Sequence, residues 1–331
     1  MIALMAAHDS DTPVLTLETI RAAHERIRDK IHRTPLLTSE VLDGASRMRL
    51  YFKCENLQKA GAFKARGATN AVYMLTPQEA ARGVVTHSSG NHAAALARAA
   101  SSRGIPAYIV MPENAPLAKQ SAVRRYGGLI ELCEPTLAAR ESTAREVVRR
   151  TGAAFIHPYD DLRVMAGQGT SAIEILQDVP ALDAILCPVG GGGNLSGVAV
   201  AAKCIKPSIR VIGVEPAGAD DAARSFRAGR IEPLGQPHTI ADGLRTSLGQ
   251  KPFAEILRYV DDIVTVSEAS IVAAMRTIWE VLKVIVEPSG AVAYAAVVQN
   301  CGLNLQASPA RVAILLTGGN LDLEHLPWQK S

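Results

Sequence analysis

Short runs of β-branched and aliphatic residues recur along this chain, and Ala-rich segments of helical length fall between them. The runs predict strands over 50–54, 84–86, 107–111, 129–132, 184–188, 211–215, 263–266 and 312–317. Helices are predicted over 92–103, 115–126, 137–151, 165–177, 268–281 and 289–299. Apolar strands alternating with helices imply an α/β chain whose parallel sheets are covered on both faces. No internal repeat or low-complexity tract interrupts the pattern. The Pro- and Gly-rich stretch 229–243 reads as an ordered loop, and the first dozen residues read as a tail.

Composition narrows the function classes. A chain of 331 residues exceeds one average domain, so two domains are expected. Hydrophobic content of 48% with only 4% aromatic points to Ala, Val, Leu and Ile packing. A formal charge of +3 is too mild for a nucleic-acid partner, and the arginine pairs 124–125 and 149–150 are dispersed. Five cysteines without CxxC spacing suggest neither a disulfide framework nor a zinc site, but buried free thiols in a reducing compartment. Met1 to Ala7 is too short for a signal-peptide core, and the apolar run 291–298 is too short to span a bilayer. The expectation is a soluble, cytoplasmic protein with no membrane or nucleic-acid partner.

Four segments carry candidate chemistry. In Ala60-Gly61-Ala62-Phe63-Lys64-Ala65-Arg66-Gly67-Ala68 a lysine stands among small residues, just before a predicted helix. That setting suits an amine that must condense with a bulky aldehyde cofactor, and it also suits a surface lysine in a turn. Thr86-His87-Ser88-Ser89-Gly90-Asn91-His92 follows a strand and opens a helix. Its hydroxyls and amides make a corner for a carboxylate, or simply an N-cap. A spacing of five across a loop argues against His87 and His92 as metal ligands. Gly190-Gly191-Gly192-Gly193 follows another strand and leaves backbone amides free to fold around a phosphate, unless it is merely flexible. Neither G-x-G-x-x-G nor Gly-Lys-Ser/Thr is present, so the phosphate belongs to something other than a dinucleotide or a nucleoside triphosphate. Thr317, ahead of Gly318-Gly319-Asn320, offers a hydroxyl to a ring nitrogen or closes a plain turn. A further stretch, Glu215 to Asp221, gathers oxygen ligands of the kind that suit Mg²⁺ or Ca²⁺, or is ordinary loop acidity.

In this order the segments resemble the fold-type-II pyridoxal-phosphate enzymes, and among them the serine racemases and serine/threonine dehydratases. The resemblance runs from about residue 20 to about residue 323. It includes Phe52-Lys53-Cys54-Glu55-Asn56, Ala166-Gly167-Gln168-Gly169-Thr170, Thr239-Ile240-Ala241-Asp242-Gly243 and Glu287-Pro288-Ser289-Gly290 beside the segments above. His157-Pro158-Tyr159 and His92-Ala93-Ala94-Ala95-Leu96 are similar to the plant-type racemases in particular.

The resemblance implies two open parallel-sheet domains, tryptophan-synthase-β-like, with the active site in the cleft between them. The larger would comprise 1–72 and 161–331 and the smaller 73–160. It implies that Lys64 binds pyridoxal 5'-phosphate covalently and serves as base on one face of the substrate. Phe63 would pack by the ring, Asn91 would meet its phenolic oxygen, and Thr317 its nitrogen. Gly190 to Gly193 would wrap the phosphate, and Gly243 would join the cofactor site. Ser89 would be the acid/base of the opposite face, and Ser88, Asn91, Arg140 and Thr246 would surround the substrate carboxylate. Glu215, Asp221 and the carbonyl of Ala219 would hold Mg²⁺, or Ca²⁺ or Mn²⁺, away from the substrate. The implied activity is serine racemisation with β-elimination to pyruvate and ammonia, in a homodimer. The rival is a dedicated threonine, serine or 3-hydroxyaspartate dehydratase. A sulfhydrylase is disfavoured because Lys64-Ala65-Arg66-Gly67 departs from Lys-Asp-Arg. Ala62 stands where many dehydratases have Ser, and Ala93-Ala94 where animal racemases have Gly-Gln; the residues that bind nucleotide effectors in animal relatives are not carried over, and nucleotide activation stays open.

Overall fold

The computed structural model describes residues 14–329. The N-terminal stretch read as a tail, Met1 to Ala7 included, lies outside them. Among the described residues ten strands form two sheets: β1 (Leu36–Leu37), β2 (Arg49–Cys54), β3 (Val84–His87), β4 (Ala107–Pro112), β5 (Leu129–Cys133), β6 (Ala154–Phe155), β7 (Ala184–Pro188), β8 (Arg210–Pro216), β9 (Asp262–Val266) and β10 (Arg311–Leu316). The larger sheet runs β1-β2-β10-β7-β8-β9 and the smaller β5-β4-β3-β6. Every neighbouring pair is parallel except β1 with β2, where Leu37 opposes Phe52 in an antiparallel edge.

The continuous apolar strands lie where parallel sheets need them. In β10, Ala313 and Leu315 pack on one face with the helices Leu162–Asp178 and Gly193–Ile205. Val312, Ile314 and Leu316 pack on the other with the helix Pro288–Val298. The smaller sheet repeats this, with Val84, Ile109 and Met111 against the Ala-rich helix Asn91–Arg103 and Val85 and Val110 against Ala144 and Val147. Side chains alternate faces along a strand, so both faces bury apolar area.

The chain reaches the smaller sheet through the helix Lys64–Met74 and returns along 156–161. The segments with candidate chemistry all lie just past the carboxyl ends of β2, β3, β7, β8 and β10, where open α/β sheets bind ligands. The cysteine expectation needs correction. All five thiols are free, but only Cys54 and Cys187 are buried, whereas Cys204 is exposed. It sits in the last turn of a helix whose end has left the core. No helix among the described residues is long and apolar enough to cross a membrane.

Candidate active site

Lys64 opens its helix directly after a stretch stitched to the end of β10. Phe63 N–H donates to Thr317 O at 3.0 Å, and Ala62 bridges Gly318. Two residues on, fully buried Arg66 fixes the first turn. Its Nε lies 2.8 Å from Glu55 and its Nη1 2.7 Å from Glu174, which also takes Lys53 at 2.6 Å. Burial alone would raise the Glu174 carboxyl, but Arg66 and Lys53 hold it at about 2. Two cations and two carboxylates balance in a dry site, so removing any one strands a charge.

The Lys64 side chain lines the cleft half-buried, and Nζ donates to Pro158 O at 2.8 Å. The surrounding protein strips water from the amine and pushes its pKa down to about 8. No carboxylate pairs with it among the described residues. Its nitrogen stands 5.1 Å from the centre of the Phe63 ring.

Past β7 the four glycines are buried and lead into the helix Gly193–Ile205, with Gly192 at φ +85 as its cap. Close approach explains their lack of side chains. A Cβ on Gly191 would fall 2.4 Å from the Tyr159 ring, and one on Gly193 2.7 Å from Tyr159 O. One on Gly190 would meet Leu244 Cα at 3.0 Å and Thr246 Oγ1 at 3.1 Å. The helix begins with unpaired N–H groups and the positive end of its dipole, a ready anion site. Pro158 and Tyr159, in the returning connection, therefore join lysine and glycine loop in one cleft.

The remaining candidates converge from both sheets. Ser88 and Ser89 lie half-buried on the turn after β3, where Gly90 N–H donates to Ser88 Oγ at 3.4 Å. Asn91 spans the cleft: its Nδ2 donates to Glu287 Oε1 at 2.7 Å, and Asn320 Nδ2 donates to Asn91 Oδ1 at 2.9 Å. Thr317 Oγ1 donates to Ser289 O at 3.3 Å, and Gly243 N–H to Ser289 Oγ at 3.0 Å. Arg140 comes near enough to add to the burial that lowers His87 and to offset part of the burial that pushes the Tyr159 hydroxyl up. Glu215 and Asp221 are fully buried and neither forms an ion pair among the described residues. Glu215 accepts from Ala222 N–H at 3.0 Å and Ala223 N–H at 2.8 Å; Asp221 Oδ2 accepts from Leu248 N–H at 2.9 Å while Oδ1 has no partner. Burial raises Glu215 to about 8 and Asp221 to about 6. Among the described residues no group of three or more His, Cys, Asp or Glu side chains has metal-binding geometry.

Sequence reasoning gave three residues no site role. Tyr159 packs on the glycine loop and edge-on to His157, with ring centroids 4.6 Å apart. His157 accepts from Asp160 N–H at 2.9 Å through Nδ1 and is kept neutral at about 4 by burial. Glu287 is buried in the cleft and raised to about 8, first by burial and then by Asp242. Glu287-Pro288 was the available signal, since proline at a helix start fixes the preceding residue at the cap.

The family model described as pyridoxal-phosphate dependent enzyme matches residues 27–318. This chain belongs to that family. It is 54% identical to the serine racemase of Arabidopsis thaliana over 93% of this chain and 94% of the relative. It is 49% identical to the beta-hydroxyaspartate dehydratase of Paracoccus denitrificans (strain Pd 1222), over 95% of this chain and 98% of the relative. The solved structure of maize serine racemase superposes with a TM-score of 0.91 at 46% identity, covering 94% of this chain and 95% of that one.

The residues present fit the family's cofactor. An aldehyde needs a neutral amine, and Lys64 is lowered towards neutrality with no acid to recharge it. A phosphate needs donors and room, and Gly190 to Gly193 provide backbone without side chains at a helix start. A ring nitrogen can be met by a neutral hydroxyl, and Thr317 stands buried just past the end of β10, the strand that runs between β2 and β7.

Proposed function

We propose that this pyridoxal-phosphate enzyme racemises serine and also deaminates L-serine to pyruvate and ammonia. Lys64 carries the reading: an unpaired amine at about 8, in one cleft with an anion-ready glycine loop and a second polar corner at Ser88-Ser89. The bound cofactor supplies an electron sink for negative charge at the substrate α-carbon. Lys64 holds the cofactor and moves the α-proton on its own face. Ser89 does so on the other, because a single base returns the proton to the side it came from. Ser88, Asn91, Arg140 and Thr246 hold the carboxylate. Gly190 to Gly193 bind the phosphate, with Phe63, Asn91, Gly243 and Thr317 around the ring. Reprotonation from Ser89 inverts the centre; departure of the β-hydroxyl instead leads to pyruvate and ammonia.

Around this core we assign a divalent cation, Mg²⁺ or alternatively Ca²⁺ or Mn²⁺, to Glu215, Asp221 and the Ala219 carbonyl. The donors fit: two buried carboxylates without a counter-ion, one with an unpartnered oxygen. The segment 73–160 acts as a small domain closing on a large domain of 1–72 and 161–331, in a cytoplasmic homodimer that binds neither nucleic acid nor membrane. A second reading, a dehydratase of 3-hydroxyaspartate, is favoured by the 49% identical Paracoccus relative. Incubating purified protein with L-serine, L-threonine and 3-hydroxyaspartate, while measuring keto acid and D-amino acid together, decides between them. D-serine with pyruvate is expected; keto acid from hydroxyaspartate with no D-serine overturns the racemase reading.

A further inference from the structure

The segment 239–249 borders the glycine loop and Asp221 from the larger sheet. Gly243 N–H donates to Ser289 Oγ at 3.0 Å, and the same serine's carbonyl accepts from Thr317 Oγ1 at 3.3 Å. Thr246 Oγ1 borders Gly190, Leu248 N–H donates to Asp221 at 2.9 Å, and Gly249 N–H donates to Gly191 O at 3.2 Å. A Cβ on Gly243 would meet Ser289 Oγ at 3.0 Å, so the segment lies tight against this floor. One charge reaches it from the other side of the cleft: Lys119 Nζ lies 2.5 Å from Asp242 Oδ2. Lys119 is on the helix Leu117–Arg125, which packs on the helix Asn91–Arg103 that follows Ser89.

We propose that Lys119 is a positioning residue. Through its ion pair with Asp242 it latches the 73–160 unit onto the 239–249 segment, seating Gly243 and Thr246 and closing the cleft over the cofactor. The assignment rests on reading this cleft as the cofactor site. Among the described residues the only other ion pair between 73–160 and the rest of the chain is Asp160 with Lys251, at 3.9 Å in the returning connection. Hydrogen bonds between Asn91 and Glu287, Asn320 and Asn91, and Lys64 and Pro158 also join 73–160 to the rest of the chain, but none of them involves the 239–249 segment. Lys119 and Asp242 are 36% and 44% exposed. Such pairs shift an equilibrium only about two- to fivefold and weaken with salt. A latch that must open for every substrate has to be of that order.

The test compares holoenzymes of wild type, Lys119→Met, Lys119→Arg and the swap Lys119→Asp with Asp242→Lys. Hydroxylamine attacks the cofactor as the cleft opens, and loss of visible absorbance gives its rate without any amino-acid substrate. At low salt Lys119→Met should lose absorbance about two- to fivefold faster than wild type. The gap should narrow towards 0.5 M salt, where the Debye length falls to roughly 4 Å. Lys119→Arg and the swap should behave as wild type, and should the swap fail to fold, Lys119→Arg carries the rescue. With L-serine, KM should rise for Lys119→Met by the same factor while kcat holds. Equal hydroxylamine rates at low salt, a salt-independent difference, or Lys119→Arg as fast as Lys119→Met each overturn the latch. Wild type that turns over no serine would refute the substrate reading while the hydroxylamine arm still decides the latch.

Discussion

A lysine amine attacks an aldehyde only when neutral, so the depressed pKa of Lys64 has a measurable consequence. Apoprotein should take up pyridoxal phosphate faster as pH rises, roughly tenfold per unit below about 8 and levelling above it. An ordinary lysine would still be accelerating at pH 10, and that profile would count against the burial argument. Lys64→Ala should form no borohydride-reducible link and lose turnover. Ser89→Ala separates the two faces: elimination from L-serine should survive, while racemisation and elimination from D-serine should fall by at least about 10²-fold, the usual contribution of a positioned acid/base. Pyruvate from each enantiomer, with chiral analysis of the remaining serine, reads this directly, and retained interconversion would pass the role to another group. The company of Lys64 was legible because its small neighbours are adjacent in sequence. The partners that fix it were not, since Arg66 meets Glu174 across 108 positions and Lys64 meets Pro158 across 94.

At the scale of elements, alternation served strands better than helices. All eight expected strands form, with 312–317 shifted by one residue to Arg311–Leu316. The two missed, β1 and β6, are two residues long and too short to show a period. The helix Gly193–Ile205 escaped because ten of its residues are buried on all sides, which erases the 3.6-residue stripe. The helix expected over 268–281 ends at Thr277 and continues as a π turn, Ile278–Leu282, which periodicity cannot distinguish. The glycine run was readable only as a candidate phosphate loop, and nothing adjacent in sequence showed that an aromatic ring presses on it. Gly191→Ala tests this pressure. With a contact of 2.4 Å to Tyr159, the methyl should cost about 1–3 kcal/mol and weaken pyridoxal-phosphate binding at least about tenfold. Adding Tyr159→Ala should recover much of the stability, because the two positions share one contact. Additive losses in thermal melts of the double variant would mean that the ring is not what excludes the methyl.

At the scale of the whole molecule, the carboxylates Glu215 and Asp221 are buried without an ion pair among the described residues. They lie buried at the end of β8, away from Lys64 but joined through Leu248 to the segment that borders the glycine loop. Arg66 and Lys53, by contrast, balance Glu55 and Glu174 within the protein itself. Burial raises both acids, Glu215 further through Asp221, and neither has an ion pair among the described residues; the proposed divalent cation, with its oxygen preference, would balance them. A cation that binds only the folded state at a hundred times its dissociation constant stabilises it by about 2.7 kcal/mol. In a chain of this length that amounts to a few degrees in Tm. Chelator should therefore lower the melting temperature of the holoenzyme and Mg²⁺ should restore it, with activity following because the 239–249 segment loosens. Asp221→Asn should keep the fold, since the amide still accepts from Leu248, yet lose the response to both reagents. Identical melting curves with and without chelator would leave the pair as two protonated acids sharing backbone hydrogen bonds, and the unpartnered Oδ1 of Asp221 would then call for a buried water instead.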